Sequence, residues 1–293
     1  MPESLSHHSV WDEIDAILVI NLDTSVDRME RFLKENAAVL PLEKVQRLSA
    51  VYGRLLPTYG KLPWFTEHTG ERAGFWAGTA GCALSHRKAI ETARAAGWRN
   101  VLIFEDDARV TADRDSLDML EQTLCSQTGD YMLYLGFNRP EPYGRLVTRG
   151  SSSSLWRVEG VLATHAYLLP ESMYDKVLAL LPDENNVWEW LSRYRAIDSM
   201  YRDYLSAVPG VRILAFYPVL VEQGACLSDI GGATGGGDEY ACKCAPLSYC
   251  SISGLVHLMM APVHRLKVHL NSMRTYCRGR RTGLPGYRKR RKK

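Results

Sequence analysis

The sequence predicts an α/β domain with a mostly parallel central sheet flanked by helices. Two observations carry this. Ala16 to Ile20 and Val101 to Phe104 are uninterrupted apolar runs, too short for helices and suited to strands covered on both faces. Between such runs lie stretches with helical spacing or helix end signals, such as the one closed by Gly97, which supply the covering layers. The 293 residues, 46% hydrophobic and 24% charged, allow a sizeable core and have the composition of an ordinary globular protein.

In chain order, Ala16 to Ile20 reads as the first strand, Asn21-Leu22-Asp23 as its polar turn and Asp27 to Val39 as a helix. Leu48 to Val51 reads as a short second strand. Residues 52–78 repeat Gly, Pro and aromatic residues and read as a long structured loop, a class that is often functional. A helix is expected from about Gly78, with Thr79 as its cap, to Gly97. Cys82, His86, Ala89, Ala93 and Ala96 then share its inward stripe. Ser116 to Cys125 reads as helix, Tyr131 to Gly136 as strand, residues 138–154 as loop, and Val161 to Leu169 as one strand. Pro170 opens a helix to Leu181, Ile197 to Leu205 has helical spacing, and Val211 to Val221 forms a last strand pair. The glycines of 231–237 suit a linker or a mobile lid and lack the ending of a phosphate-binding P-loop.

The chemistry concentrates where Val101-Leu102-Ile103-Phe104 runs into Glu105-Asp106-Asp107. Ligands of open α/β sheets gather at the carboxyl ends of strands. If the chain stays extended, Glu105 and Asp107 face one side and Asp106 the other. Like charges about 4 Å apart repel by roughly 4 kcal/mol at an effective dielectric near 20, so such a pair calls for a proton, a basic neighbour or a cation. A hard divalent ion, Mn2+ or Mg2+, is the natural partner; the bland alternative is a solvated acidic turn.

Other candidates carry two readings each. Arg28 is either a surface arginine or faces back over the first strand end, towards a phosphate or an acid. His86 is either a hydrogen-bonded core residue or part of an anion site near a helix start. His165, mid-strand, either satisfies a neighbouring backbone group or meets substrate. Asp198 stands in a first helical turn, where an acid is also favourable helix chemistry. The seven cysteines are odd in number and show no paired metal-ligand spacing, which implies reduced thiols in a cytosolic setting; Cys242, Cys244 and Cys250 read as chance clustering rather than a metal knot.

Together the motifs VINLDTSVDR (19–28), GCALSH (81–86), LIFEDDA (102–108), THAYLL (164–169), AID (196–198), YPVLVEQ (217–223) and SDI (228–230) resemble glycosyltransferase family 25, over roughly Ile14 to Ile230. That family includes lipooligosaccharide galactosyltransferases and procollagen-modifying galactosyltransferase domains. The resemblance implies a GT-A type glycosyltransferase fold, a UDP-sugar donor (usually UDP-galactose or a relative) and transfer with inversion. It sets Glu105-Asp106-Asp107 where GT-A enzymes carry their metal motif, with Glu105 and Asp107 as metal ligands and Asp106 contributing directly or through water. It also implies Asp198 as the base, with Asp229 as the alternative. Asn21, Asp23 and Arg28 would border the nucleotide, Ser85 and His86 would help close its pocket, and Asp106 and His165 are further candidates for contact with the bound donor.

Twelve of the 36 Lys and Arg residues and none of the 33 acids lie from His264 onward, so the body carries about −9 and the tail about +12. This divides the chain into a transferase domain, 1–245, and a basic amphipathic tail, 246–293. The tail suits an anionic membrane surface, with a solubilising tail and a nucleic-acid binder as competing readings; nucleic acid is the less expected partner. No run reaches about 18 apolar residues, so no bilayer-spanning segment is expected. The N-terminus lacks signal-peptide character, and the expected location is cytoplasmic, at most peripheral on the inner face of the membrane. The expected acceptor is a glycan or glycolipid. The competing classes are a nucleotide-sugar or glycan binder without turnover, a protein-directed transferase of the collagen type, and a metal-dependent nuclease or phosphatase.

Overall fold

The computed structural model describes residues 9–140, 143–224, 226–227, 234–235, 246–248 and 252–286. The first half alternates strands and helices: β1 (Ala16–Asn21), α1 (Val26–Asn36), β2 (Val45–Ser49), α2 (Ala73–Ala96), β3 (Asn100–Glu105), β4 (Ala108–Val110), α3 (Arg114–Ser126) and β5 (Tyr131–Gly136). A run of strands follows: β6 (Arg139–Pro140), β7 (Tyr143–Arg149), β8 (Ser154–Val158), β9 (Val161–Leu162) and β10 (Ala166–Pro170). Then come α4 (Tyr174–Leu178), α5 (Val187–Tyr194), α6 (Ile197–Asp203), β11 (Arg212–Tyr217) and β12 (Val221–Gln223). The short strands β13 (Cys226–Leu227), β14 (Thr234–Gly235) and β15 (Leu247–Ser248) precede α7 (Ile252–Thr282).

The expected α/β architecture is present, built on a nine-stranded sheet in the order β15-β7-β8-β11-β5-β10-β3-β1-β2. Seven of its nine strands share one direction, as expected, and two oppose them. β2, β1 and β3 are mutually parallel, as are β5 with β11 and β7 with β15, but β10 runs antiparallel between β3 and β5, and β8 runs antiparallel between β7 and β11. The physical cause lies partly in residues 138–154, expected to be loop. Gly150 and Ser151 to Ser153 form only the turn, with Gly150 N–H bonded to the Ser153 carbonyl at 2.9 Å, and the flanks pair as the β7–β8 hairpin. Leu146 and Val147 are exposed, so β7 lacks the apolar alternation that would have marked it.

Alternation along each central strand feeds two cores. Ile17, Val19, Leu102, Phe104, Leu133 and Leu214 pack into the layer that holds Phe32 of α1 and Leu120 of α3. Leu18, Ile20, Val101, Ile103, Tyr134 and Tyr167 pack on the other face with α2, α5 and α6. The sheet is thus sandwiched, which is why its strands read as continuous apolar runs.

The helix α2 starts at Ala73, earlier than the sequence suggests, and Thr79 donates to the Phe75 carbonyl at 2.8 Å instead of capping. Two glycines let the preceding segment lie against it. A Cβ on Gly53 would sit 1.7 Å from the Ala77 carbonyl oxygen, and one on Gly81 would sit 2.4 Å from that of Val51.

The helix α7 packs against α5, and Gly279 permits the approach, since a Cβ there would be 2.8 Å from that of Ser192. Gly283, with φ +75°, ends the helix as a left-handed cap. Leu284 then buries itself, donates to the Trp64 carbonyl at 2.6 Å and accepts from Thr69 Oγ1 at 2.9 Å, while Trp76 Nε1 donates to the Pro285 carbonyl at 2.9 Å. Nearer its start, α7 exposes Leu255, Val256, Met259, Met260, Val263 and Leu266. Among the described residues no helix is long and apolar enough to cross a membrane.

Gly53→Ala and Gly81→Ala are each expected to destabilise the protein by about 1–3 kcal/mol through overpacking. Urea unfolding reads this as a lower midpoint at unchanged slope; midpoints equal to wild type for both variants would show that the close approach is dispensable.

Candidate active site

The alternation that sends Leu102 and Phe104 to one core sends Glu105 to the other, towards α2. There Glu105 Oε1 accepts from Thr164 Oγ1 at 2.8 Å and meets His86 Nε2 at 3.3 Å. His86 is fully buried, with Nδ1 2.8 Å from the Tyr167 hydroxyl and its ring stacked on that of Tyr167. Nε2–H donates to the Glu105 carboxylate, which leaves Nδ1 facing the Tyr167 hydroxyl.

After Glu105 the chain turns instead of staying extended, so the next two carboxylates diverge. Asp106 points to the first strand end, where Asn21 Nδ2 donates to it at 2.7 Å and Arg28 ion-pairs with it. Asp107 points to β12. The β4–β12 pairing sets Gln223 opposite Ala108, so that Gln223 Nε2 donates to Asp107 Oδ2 at 2.9 Å; Arg28 stands 3.8 Å from the same oxygen. All three carboxylates open on one cleft of about 190 Å³, walled by Arg28, by residues 50–54 and by the small residues Gly74, Gly78 and Gly81 of α2.

The supports act unequally on the three acids. Burial pushes Glu105 up, but the hydrogen bond and charge of His86, with Thr164, outweigh it and hold the carboxyl below its usual range. Burial pushes Asp106 up to about 6 against Arg28 and Asn21. Burial, then the charge of Glu105, raises Asp107 against the bond from Gln223. Burial thus works against full ionisation of Asp106 and Asp107, and a cation in the cleft would favour their charged forms. Cys82 Sγ, a His86 nitrogen and a Glu105 oxygen also lie within 4.8 Å of one another. Burial, and then the charges of Glu105 and Asp198, push the Cys82 thiol well up, which keeps it protonated and a poor ligand.

The other expected residues fall in different places. Asn21 is buried behind the cleft, holding Asp106 with its amide nitrogen and accepting from Arg47 Nε at 2.7 Å. Asp23 is exposed and bound to Arg47 and Ser49, whose hydrogen bonds lower its pKa. Ser85 lines the cleft but is committed to the backbone, donating to the Gly81 carbonyl at 2.6 Å and accepting from Val51 N–H at 2.8 Å. His165 is buried against Gly136, with Nε2 3.3 Å from the Val221 carbonyl, and does not line the cleft. Asp198 accepts from Ala163 N–H at 3.2 Å and Ser199 N–H at 2.6 Å. Ala163 has φ +77°, and it breaks the single strand expected over 161–169 into β9 and β10. Asp229, Cys242, Cys244, Cys250 and the glycines of 231–233 and 236–237 lie outside the described residues.

Sequence reasoning missed Thr164, Tyr167 and Gln223 as supports of the acids. The first two stand in the THAYLL motif and the third closes YPVLVEQ, but only the strand pairings bring Thr164 to Glu105, Gln223 to Asp107 and Tyr167 to His86, through which it supports Glu105.

Residues 14–135 match glycosyltransferase family 25, described as LPS biosynthesis protein. The matched family 25 segment contains Asn21, Arg28, His86 and the three carboxylates, and stops before His165 and Asp198. No curated protein matches the sequence. Similar solved structures include mannose-1-phosphate geranyltransferase from Thermus thermophilus, 14% identical with a TM-score of 0.36, over 69% of this chain and 74% of that one. A glycosyltransferase involved in the glycosylation of the major capsid of PBCV-1 is 10% identical with a TM-score of 0.33, over 68% of this chain and 80% of that one. The protein A197 from STIV is 8% identical with a TM-score of 0.36, over 78% and 97% of the two chains.

Within the family 25 segment, Asn21→Leu is expected to destabilise by about 1–3 kcal/mol, because it strips a buried carboxylate of its donor. Asp23→Asn is expected to leave the urea midpoint unchanged. Equal midpoints for Asn21→Leu and wild type would overturn the supporting role.

Proposed function

We propose that the protein is an inverting, metal-dependent glycosyltransferase of GT-A type. It moves a sugar, galactose first among the candidates, from a UDP-sugar to a hydroxyl of a surface glycan such as lipooligosaccharide. The observation that carries this reading is the convergence of Glu105, Asp106 and Asp107 on one arginine-edged cleft inside the family 25 segment.

The residues present fit a hard divalent ion. Three carboxylates open on one cleft, burial works against full ionisation of two of them, and oxygen donors suit Mn2+ or Mg2+ better than the neighbouring thiol does. Asp107 and Glu105 would hold it, with Asp106 directly or through water; when bound it supplies positive charge to the departing diphosphate. Arg28, fixed by Asp106, offers a guanidinium to the donor phosphates from the same wall. Asp198 is the proposed base: the N–H groups of Ala163 and Ser199 orient its carboxylate to take the acceptor hydroxyl proton. Asp229 is the alternative base. Asn21 serves by holding Asp106, and the wall of Ser85 and His86 by shaping the cleft. We keep residues 1–245 as the transferase unit and 246–293 as a segment docked on it through β15 and Leu284, with the exposed apolar row near the start of α7 seated on an anionic membrane surface at the cytoplasmic face.

With UDP-galactose and Mn2+ each in large excess, wild type is expected to gain a thermal shift that GDP-sugars do not give; at about 100 times the dissociation constant the gain is roughly 2.7 kcal/mol. Asp107→Asn should remove the Mn2+ dependence of that shift. Asp198→Asn should keep the shift and lose transfer by about 10²-fold or more. A shift with UDP-sugar but no transfer to any glycan hydroxyl would favour a binding protein without turnover. No shift with any UDP-sugar would overturn the donor class.

A further inference from the structure

A second cavity, of about 640 Å³, opens between the segment before α2, the end of α5 and the far half of α7. Arg72, Arg195, Arg274 and Arg278 line it together with His68, and among the described residues no carboxylate lines it. The like charges of Arg195, Arg274 and Arg278 around one cavity repel one another, and an anion between them would relieve that repulsion. The cluster is also built rather than incidental. Arg72 is held over the Phe75 ring at 4.1 Å and the Trp76 ring at 5.1 Å. Arg195 stands at φ +73°, a left-handed conformation that costs a non-glycine residue free energy and tends to cluster at functional sites. The cavity wall from α7 exists only because Gly279 and the Gly283 cap bring that helix down onto the body.

Guanidinium groups match phosphate oxygens in pairs, and the cavity has the size of an ordinary ligand site, enough for a phosphate and the residue that bears it. One of its lining residues, Arg195, belongs to the turn between α5 and α6, the helix that carries Asp198. Arg195 precedes Asp198 by three residues, and Arg72 precedes the turns of α2 that wall the carboxylate cleft. We propose that this arginine cavity binds a phosphate group carried by the acceptor glycan and so anchors the acceptor beside Asp198. The acceptor assignment rests on the transferase reading; the anion site itself does not.

The test uses the full chain with a chelator present, so that metal-dependent binding in the carboxylate cleft is suppressed. Calorimetric titrations with inorganic pyrophosphate and with glucose 1-phosphate compare wild type, Arg274→Ala/Arg278→Ala, and the control Arg280→Ala/Arg281→Ala, which removes the same charge from α7 outside the cavity. The cavity variant is expected to lose at least about tenfold in affinity for both probes and the control to stay within about twofold of wild type, the loss corresponding to at least one charged hydrogen bond. Equal losses in both variants, or no binding by wild type, would overturn the site. Phosphatidate-containing vesicles, compared with phosphatidylcholine vesicles, separate the sources. Binding to them through Arg274 and Arg278, with no binding of glucose 1-phosphate, would overturn the glycan assignment in favour of a lipid headgroup. The Mn2+-dependent shift with UDP-galactose should be the same in all three proteins. If wild type shows no such shift yet binds pyrophosphate through the cavity, the transferase reading and the acceptor assignment fall while the anion site stands.

Discussion

Three adjacent carboxylates at the end of a buried strand are the constraint on which the rest of the structure depends. At an effective dielectric near 20, each like-charge pair about 4 Å apart costs roughly 4 kcal/mol, comparable with a large share of a domain's net stability. The fold meets this by turning the chain after Glu105 and giving each acid a separate support. Glu105 takes His86 from α2 and Thr164 from the lead into β10; Asp106 takes Asn21 from β1 and Arg28 from α1; Asp107 takes Gln223 from β12. Elements far apart in sequence are thereby fixed to one point. The rotation of α2 about its axis, the seating of α1 and the return of β12 alongside β4 all follow from keeping those contacts.

The cleft exists because the opposite requirement holds across from the acids. Bulky side chains on that wall would fill the space the carboxylates open on, and α2 instead presents Gly74, Gly78 and Gly81 there. The same small residues let the segment from Val51 to Gly53 lie directly on the helix, so the wall is backbone rather than side chain. Backbone walls lose little entropy when a ligand is bound and keep their shape without it.

Much of this was legible in the sequence, and the boundary of legibility has a physical cause. Ala16 to Ile20 and Val101 to Phe104 revealed themselves because burial on both faces leaves uninterrupted apolar runs, and the inward stripe of α2 predicted a buried His86. The sandwiched α/β class followed from the same runs. The direction of β10 did not, because period-two alternation carries no information about which way a strand points. The β7–β8 hairpin was hidden because its outer face is solvated and its turn is built from the Gly and Ser residues that also mark loops. At the site, the acidic triplet was visible as composition, whereas its supports were not. Thr164 and Gln223 are ordinary polar residues until the β10–β3 and β12–β4 registers bring them to particular oxygens. Asp23 shows the converse: its turn position was visible in the sequence, but its partners Arg47 and Ser49 of β2, one strand away, were not.

The C-terminal helix shows how local and long-range signals divide. Its basic character was plain from sequence, and basic character alone suits a solvated tail, a membrane surface or a nucleic acid. What the composition could not express is that the helix changes role along its length. Gly279, Gly283, Leu284 and Pro285 form an end that locks into the body through Trp64, Thr69 and Trp76, so the last turns are part of the core. Locking that end aligns Arg274 and Arg278 with Arg72 and Arg195, from elements far earlier in the chain, around a single cavity. Positive charge that reads as a diffuse property of the chain thus becomes, once the helix docks, a local one with a shape.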